Sequence, residues 1–255
     1  MGEVRPAIEP ELKRPLWVIG ANDYNLGTTV ADVADEEMFY KFISRTDTDV
    51  DVCAQGPLDK HLRKLREESP ETGIDIAYCA GINLLDAIAD VDELGLYQTF
   101  NVNVMGFIRT LQAVAKVYSD FIDDEDRPPT PQTTCNVVVV ASDAARTPMR
   151  RSINYCASKA AVVQAMRVGA RELAPHVRVN AVSPGIIDGT PMTTSIDAEV
   201  MLQRNWSRYQ LDEKELAAIP MQRRGTKWEI ADMILLALNG PAYLTGSNIE
   251  ITGGK

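Results

Sequence analysis

The stretch NVVVVA, residues 136–141, decides the fold class of this sequence. Its β-branched residues are continuous rather than alternating with polar ones, which is typical of a strand buried on both faces. Six other short apolar runs occur, at 16–19, 39–44, 50–54, 74–79, 177–182 and 248–251. We therefore predict a mainly parallel sheet.

Helical apolar spacing separates these runs, at 57–69, 96–119, 155–173, 198–208 and 227–239. Strands that alternate with helices indicate a doubly wound α/β fold with helices on both faces of the sheet. There is no internal repeat and no change of composition that would mark a second domain. We expect a single domain over residues 1–255, with a flexible tail at 1–12.

The composition limits the possible partners. A net charge of −10 and a pI near 4.8 argue against a nucleic-acid surface, which needs clustered basic residues. The first residues, MGEVRPAIEPELKR, lack the apolar stretch of a signal peptide, and no apolar run is long enough to cross a membrane. The four cysteines show no C-x-x-C spacing, so we expect free, buried thiols in a cytoplasmic protein.

Only two histidines, His61 and His176, are available for metal binding or for a Ser-His-Asp hydrolase. Both have polar neighbours in the sequence and lie far from any cysteine pattern. We predict no metal site, and we expect both histidines at the surface.

A candidate phosphate-binding turn follows the first strand. The segment GANDYNLG (residues 20–27) has a glycine at each end, and it precedes a helix-like stretch whose N-terminal amides could approach a pyrophosphate. Two glycines alone are a weak signal, because an ordinary turn could have them. Ala80-Gly81, Ser142 and Pro184-Gly185 also follow predicted strands directly, so they should meet at the same edge of the sheet.

The segment NYCASKAAV (residues 154–162) supplies a candidate acid/base pair. Tyr155 and Lys159 lie one helical turn apart, and a nearby ammonium favours ionisation of the phenol. Chance could produce this spacing, and the two residues could simply share a helix face. Ser142, 13 residues earlier at the end of the clearest strand, and Asn103 strengthen the catalytic interpretation. The alternative for Ser142 is a strand-end cap.

Taken together, these motifs resemble the short-chain dehydrogenase/reductase family, in particular its 3-oxoacyl-carrier-protein reductase-like members. The resemblance extends over most of the chain, through YCAG (78–81), RVNAVSPG (178–185), PM (220–221), RG (224–225), YLTG (243–246) and GG (253–254). It implies a Rossmann-like fold and hydride transfer between a nicotinamide cofactor and a carbonyl or alcohol substrate.

The resemblance also implies roles for individual residues. Tyr155 would be the acid/base, Lys159 would bind the nicotinamide ribose and assist Tyr155, Ser142 would bind the substrate oxygen, and Asn103 would hold a proton-relaying water. The implied cofactor-binding residues are Gly20, Asn22, Asn25, Leu26, Gly27, Arg45, Asp51, Val52, Ala80, Gly81, Tyr155, Lys159, Pro184, Gly185 and Ile187.

Some features depart from the family pattern. The glycine turn is one residue longer than usual, with Tyr24 or Asn25 in place of the central glycine, and Tyr78 replaces an asparagine. The segment 28–52 is short, which predicts that one crossover helix is missing or reduced. A non-catalytic nucleotide-binding module is therefore the alternative function.

The choice of cofactor depends on the end of the second strand. Arg45 suits the 2′-phosphate of NADP, whereas Asp47 or Asp49 at that position would suit NAD. We expect NADP and leave NAD possible.

The substrate region should include Arg146, Arg150 and Arg151, which could attract an anionic substrate or form a solvated loop. A substrate lid is expected at 186–219, where five residues could line the pocket or pack within the lid: Met192, Met201, Leu202, Trp206 and Tyr209.

The resemblance also implies assembly as a homotetramer or homodimer, because in this family the equivalents of the helices at 96–119 and 155–173 pair between subunits. These helices carry apolar residues beyond one narrow stripe, namely Phe107, Ile108, Val162, Val163 and Met166.

Overall fold

The computed structural model describes residues 14–21, 25–36, 43–46, 51–124, 126, 128–130 and 133–255, with backbone only at 43–46. The predicted tail at 1–12 lies outside this part of the chain. Asn22, Tyr24, Asp47, Asp49 and the side chain of Arg45 lie outside it as well.

The described strands form one parallel sheet in the order β2-β1-β3-β4-β5-β6. They are β1 (Leu16–Ile19), β2 (Ile43–Thr46), β3 (Ile74–Tyr78), β4 (Cys135–Val140), β5 (Val177–Pro184) and β6 (Asn248–Ile251). The chain leaves β1 on one side to form β2 and returns to form β3 on the other. This reversal opens a crevice at the carboxyl ends of the strands.

Helices cover both faces of the sheet, as predicted. The described helices are α1 (Leu26–Glu36), α2 (Gln55–Glu68), α3 (Glu93–Phe100), α4 (Gly106–Val117), α5 (Ser119–Ile122), α6 (Ile153–Glu172), α7 (Pro191–Arg204), α8 (Arg208–Leu216) and α9 (Lys227–Leu238). None of them combines the length and apolar character that crossing a membrane would require.

Alternating side chains on the strands fill two hydrophobic cores. Trp17 and Ile19 pack in one core with apolar residues of α2, α4 and α6. Leu16 and Val18 pack in the other core with residues of α1 and α9. The continuous apolar strands are thus explained by burial on both sides, and the predicted α/β class is confirmed.

One predicted strand differs from the structure. The run at 50–54 is wrong over its described residues 51–54, where an Asp51 Oδ1 that accepts from Cys53 N at 2.8 Å folds the chain into a turn before α2. Of the run at 39–44, Ile43 and Ser44 belong to β2, and residues 39–42 lie outside the described residues. Between α1 and α2 the described residues contain β2, and residues 37–42 and 47–50 lie outside the described part, so the loss of a crossover helix stays a prediction.

The two histidines and the cysteines differ from their predicted burial. His176 is 1% exposed, and its Nδ1 lies 3.2 Å from the carbonyl oxygen of Thr133, so its expected surface position is wrong. His61 is half-buried against the ring of Trp17. Among the described cysteines, only Cys135 is fully buried.

The apolar residues expected to form an assembly surface serve mainly the core of a single chain. Phe107, Val162, Val163 and Met166 are buried, and Ile108 is half-buried. That interpretation of the apolar stripe is therefore wrong for these residues, since the sheet already covers them.

Candidate active site

A cavity of about 810 Å³ opens at the carboxyl ends of the strands. Gly81 after β3, Ser142 after β4 and Gly185 after β5 all line it. Parallel strands end at the same edge of a sheet, which is why segments far apart in the sequence meet here.

Ser142 sits between β4 and a short 3₁₀ helix, Asp143–Ala145. Its Oγ accepts a hydrogen bond from Ala144 N at 3.2 Å, and its hydroxyl donates to Asp143 Oδ1 at 3.3 Å. The serine thus caps the short helix and also lines the cavity, so the two interpretations of its role are compatible.

Tyr155 and Lys159 lie in the first two turns of α6, and both line the cavity. Burial raises the pKa of Tyr155 to about 12, a hydrogen bond with Ser142 opposes that rise, and the Asp143 carboxylate adds to it. The phenol is therefore protonated at neutral pH in the cofactor-free protein.

The ammonium of Lys159 lies 5.6 Å from the centre of the Tyr155 ring. Its Nζ donates to the carbonyl oxygen of Val140 at 2.8 Å, and burial lowers its pKa to about 8. Lys159 is thus held in place and still mainly charged at neutral pH, where it can stabilise a phenolate.

Asn103 belongs to a π-helix, Asn101–Met105, that interrupts the helix predicted at 96–119. Its Nδ2 donates to the Ile82 carbonyl at 3.0 Å and to Ser158 Oγ at 2.9 Å, while its Oδ1 accepts from Ile82 N at 2.8 Å. The side chain therefore ties the loop after β3 to α6, and it lies behind the cavity wall.

Tyr78, the replacement for the family's asparagine, serves the same π-helix. Its hydroxyl donates to the carbonyl oxygen of Val102 at 2.7 Å, and its ring packs against Phe107. Gly106 leaves room for it, because a Cβ at this position would overlap the Tyr78 hydroxyl. The substitution is thus accommodated by packing away from the cavity.

The glycine turn fits a dinucleotide. Gly20 has φ +85°, and a Cβ there would lie 2.6 Å from the backbone of Ala80, while a Cβ on Gly27 would lie 2.7 Å from the Gly20 carbonyl oxygen. The side chain of Asn25 accepts from Thr28 N at 3.0 Å and donates to the Gly20 carbonyl at 2.6 Å. Side-chain hydrogen bonds of Asn25 therefore hold the described part of the turn without a central glycine, and Asn25 does not have a positive φ.

The predicted cofactor-binding residues whose side chains the structure describes divide into two groups. Those that line the cavity are Asn25, Leu26, Gly81, Tyr155, Lys159, Pro184, Gly185 and Ile187. Those that do not line the cavity formed by the described residues are Gly20, Gly27, Asp51, Val52 and Ala80. Gly20 and Gly27 are the two ends of the turn, and Ala80 packs against Gly20. Asp51 and Val52 lie just before α2, next to α4.

The outer wall comes from α7 and the loop before α6. Met192 and Trp206 line the cavity. Leu202 and Tyr209 are exposed and do not line it, so for these two both predicted roles, pocket wall and packing within the lid, are wrong. Of the three arginines singled out, Arg150 and Arg151 line the cavity. Arg146 instead forms a two-bonded ion pair with Glu250.

Sequence reasoning missed several charged residues of the cavity wall, and two of them, Asp143 and Lys255, form an ion pair. Asp143 is buried directly beside Ser142, and its Oδ2 lies 3.1 Å from the ammonium of Lys255. The position of Asp143 next to Ser142 was a signal that could have been used. Nothing in the sequence connects residue 143 with residue 255.

The strand order, the two covered faces and the cavity beyond the strand ends define the class: this is a Rossmann-like α/β protein with a dinucleotide-type crevice. A family model described as "Enoyl-(Acyl carrier protein) reductase" matches residues 21–255. The chain belongs to the short-chain dehydrogenase/reductase family, as the motifs predicted.

Individual relatives are more distant. L-xylulose reductase of Caenorhabditis elegans is 33% identical over 177 residues, which cover 69% of this chain and 62% of that protein. The NAD-dependent glycerol dehydrogenase of Listeria innocua is 28% identical over 207 residues, 80% of this chain and 72% of that protein. The match therefore spans less than two thirds of the first relative.

Among solved structures, an actinorhodin polyketide ketoreductase variant with NADPH aligns with a TM-score of 0.79. The alignment covers 95% of this chain and 97% of that one at 21% identity, and it supports the fold.

Proposed function

We propose that this protein transfers a hydride between a nicotinamide cofactor and a carbonyl/alcohol pair, with Tyr155 as the acid/base. The observation that carries the proposal is the convergence of Ser142, Tyr155 and Lys159 on one cavity beside a glycine turn. The family membership and the hydroxyl-oxidising and carbonyl-reducing relatives support the same chemistry.

The cofactor, when bound, supplies or accepts the hydride. Asn25, Leu26, Gly81 and the residues after β5 would hold it against the cavity wall. Tyr155 donates its proton to the substrate oxygen during reduction and removes that proton during oxidation. Ser142 donates a hydrogen bond to the same oxygen as negative charge develops on it. Lys159 stabilises the phenolate by its charge, because the site is largely shielded from water.

We infer a preference for NADP(H) over NAD(H), since Arg45 lies near the end of β2 and suits a 2′-phosphate. The ketoreductase with NADPH supports this preference, while the NAD-dependent relative keeps the other cofactor as an outcome of the test. Fluorescence titration with NADPH and NADH measures both affinities. Tighter binding of NADH would overturn the preference.

The Tyr155→Phe variant tests the chemistry. It should lower kcat for reduction of a small diketone by roughly 100- to 10,000-fold, the range for loss of a general acid, with cofactor affinity nearly unchanged. Tyr209→Phe is a matched control, because Tyr209 is 75% exposed and lies outside the cavity. Retained turnover in Tyr155→Phe would exclude the assigned mechanism.

A non-catalytic nucleotide-binding module is the second candidate, and the altered glycine turn is the observation that favours it. The two functions separate clearly in experiment. A module would bind a dinucleotide and leave every carbonyl substrate unchanged, in the wild-type protein as in Tyr155→Phe.

The substrate mouth favours a carbonyl compound with a negatively charged group. Arg150 and Arg151 line the cavity, and neither has an ion-pair partner within the described residues. Their loop is fixed in place, because Asp86 N donates to the Arg151 carbonyl at 2.8 Å. Arg151 also has φ +62°, a strained conformation for a side-chain-bearing residue that is often found at functional sites.

The charge preference can be measured with a keto acid and its methyl ester. Arg150→Gln/Arg151→Gln should raise KM for the acid about threefold to fivefold, the range for partly exposed charge pairs, and leave KM for the ester unchanged. Arg167→Gln on the outer surface of α6 is the control, since it removes the same kind of charge away from the cavity. Equal effects on acid and ester would contradict an anion-binding role.

A further inference from the structure

Asp143 and Lys255 form an ion pair in the wall of the same cavity, next to Ser142. Asp143 is 5% exposed, and its two carboxylate oxygens face different partners. Oδ1 accepts the Ser142 hydroxyl at 3.3 Å, and Oδ2 lies 3.1 Å from Lys255 Nζ. Ser142 and Tyr155 line the same cavity, so these contacts link Lys255 through Asp143 to the serine that shares the cavity with the phenol.

Lys255 is held so that its side chain reaches this carboxylate. Its backbone carbonyl oxygen accepts from Arg146 Nη2 and from Thr252 Oγ1, both at 3.3 Å. Arg146 is in turn fixed by its two-bonded ion pair with Glu250 on β6. The side chain of Lys255 is mostly buried and lines the same cavity as Tyr155.

Lys255 is the cation that lies within ion-pair distance of Asp143 among the described residues, and the other acids of the wall have a different partner. Arg224 holds the two remaining acids, Asp197 and Glu215. Lys159 donates a hydrogen bond to the Val140 carbonyl. Lys255 is therefore the cation that compensates Asp143 among the described residues.

A buried carboxylate without a cation would harm the chemistry in two ways. It would accept the Ser142 proton more strongly and keep it from the substrate oxygen. It would also disfavour ionisation of the neighbouring phenol, because like charges repel strongly where water is excluded. The titratable and charged groups that face Tyr155 are Asp143 on the 3₁₀ helix, and Cys156 and Lys159 on α6.

We propose that Lys255 is a positioning residue for the Ser142–Tyr155 pair: by neutralising Asp143 it leaves the serine proton for the substrate and lets the tyrosine ionise. This inference rests on the proposed hydride-transfer function.

The test compares the Lys255→Met variant with wild type in alcohol oxidation. We expect kcat to fall on the order of tenfold, the pH midpoint of the rate to move up by about one unit, and KM for the cofactor to stay unchanged. Lys255→Arg should restore most of the activity, and Asp143→Asn/Lys255→Met should recover much of it, because the bare carboxylate is gone. Lys60→Met on the surface of α2 controls for the loss of one positive charge.

A purely structural role for Lys255 predicts a different result. Lys255→Met would then melt at a lower temperature but keep the pH midpoint of wild type, and Asp143→Asn/Lys255→Met would recover nothing. Either finding would overturn the proposal.

A readout that needs no turnover separates this inference from the proposed function. The NMR signal of the Tyr155 ring Cζ, assigned by its loss in Tyr155→Phe, reports ionisation and hydrogen bonding of the phenol. Lys255→Met should shift this signal and its pH dependence, and Asp143→Asn/Lys255→Met should return both toward wild type. Identical signals in all three proteins would refute the role of Lys255, whereas an inactive wild type with shifted signals would refute only the hydride transfer.

Discussion

At the scale of single residues, burial determines how easily Lys159 carries its charge. Its pKa falls from 10.5 to about 8, because desolvation in the cavity wall disfavours the ammonium. The unfolded chain therefore keeps this proton over a pH range in which the folded protein has lost it. Folding is penalised below pH 8, and the penalty disappears as the pH rises through this range.

The Lys159→Met variant should lack this pH dependence. We expect the free energy of unfolding of wild type minus that of Lys159→Met to rise by about 3 kcal/mol between pH 8 and 10.5, which is the pKa difference converted to energy. Chemical denaturation at a series of pH values measures it, with the exposed Lys60→Met as control. A flat difference would show that the lysine is not desolvated.

The residue scale also shows what sequence reasoning can reach. The sequence predicts that Ser142, Tyr155 and Lys159 lie at one site. Ser142 directly follows a predicted strand, and Tyr155 and Lys159 lie one turn apart on a predicted helix. The pair of Asp143 and Lys255 could not be predicted in this way, because it depends on how the chain after β6 turns back toward β4.

At the scale of elements, the π-helix Asn101–Met105 is supported from the sheet. A π-helix leaves carbonyls outside the regular α-helical hydrogen-bond pattern. The hydroxyl of Tyr78 donates a hydrogen bond to the carbonyl oxygen of Val102 in this π-helix. The same turn carries Asn103, which fixes the loop that contains Gly81. Tyr78 therefore stabilises the cavity from behind its wall.

Two substitutions test this support. Tyr78→Phe should cost about 0.5–1.5 kcal/mol of unfolding free energy, because it removes the hydrogen bond to the partly buried Val102 carbonyl. Gly106→Ala should also destabilise the protein, since its methyl group overlaps the Tyr78 hydroxyl, and Tyr78→Phe/Gly106→Ala should lose less than the sum of the two.

Gly56→Ala in α2 is the control for these denaturation measurements. A Cβ at Gly56 meets no atom within 4 Å, so we expect this change to be tolerated. Strictly additive losses in the double variant would contradict the contact between positions 78 and 106.

Element boundaries were hard to predict where polar groups reshape the backbone. The helix at 96–119 was expected to be continuous, but it contains the π-helix and ends in the separate short helix α5. The run at 50–54 is apolar enough for a strand, yet the Asp51 side chain bonds to the backbone and makes a turn. Apolar periodicity cannot detect such local bonds.

At the scale of the whole molecule, one arginine joins the outer wall to the rest of the protein. Arg224, in the loop before α9, binds Asp197 of α7 at 2.7 Å and also binds Glu215 of α8. Arg224 and Asp197 are both nearly buried. We propose that this network holds the lid, residues 186–219, over the substrate.

Arg224→Ala should release the lid. We expect a loss of about 1.5–3 kcal/mol in the stability of this region, because charge-assisted hydrogen bonds to Asp197 and Glu215 are lost while Asp197 keeps its ion pair with Arg208. Hydrogen exchange in α7 and α8 should increase, and KM for the carbonyl substrate should rise more than kcat falls.

Arg223→Ala is the matched control, since its pair with Glu229 is exposed to solvent and should contribute little to stability. Unchanged exchange in α7 and α8 of Arg224→Ala would mean that the network does not hold the lid.

The overall architecture was the most predictable level, because alternating apolar strands and helices permit few parallel arrangements. The assembly was the least predictable. The named apolar residues of α4 and α6 turned out to be mainly core residues, whereas Tyr97 and Val168 are exposed on α3 and α6. We keep a homotetramer or homodimer as a proposal that sedimentation equilibrium can test.

The contact between Asp143 and Lys255 also bears on how the protein is made. Ribosomes release a chain from its N-terminus, so Ser142, Tyr155 and Lys159 emerge long before residue 255. Until β6 pairs with β5 and Lys255 arrives, the nascent chain contains the reactive groups without the cation that compensates their buried acid. In the proposed mechanism the site is therefore complete only once β6 has paired with β5 and Lys255 has reached Asp143.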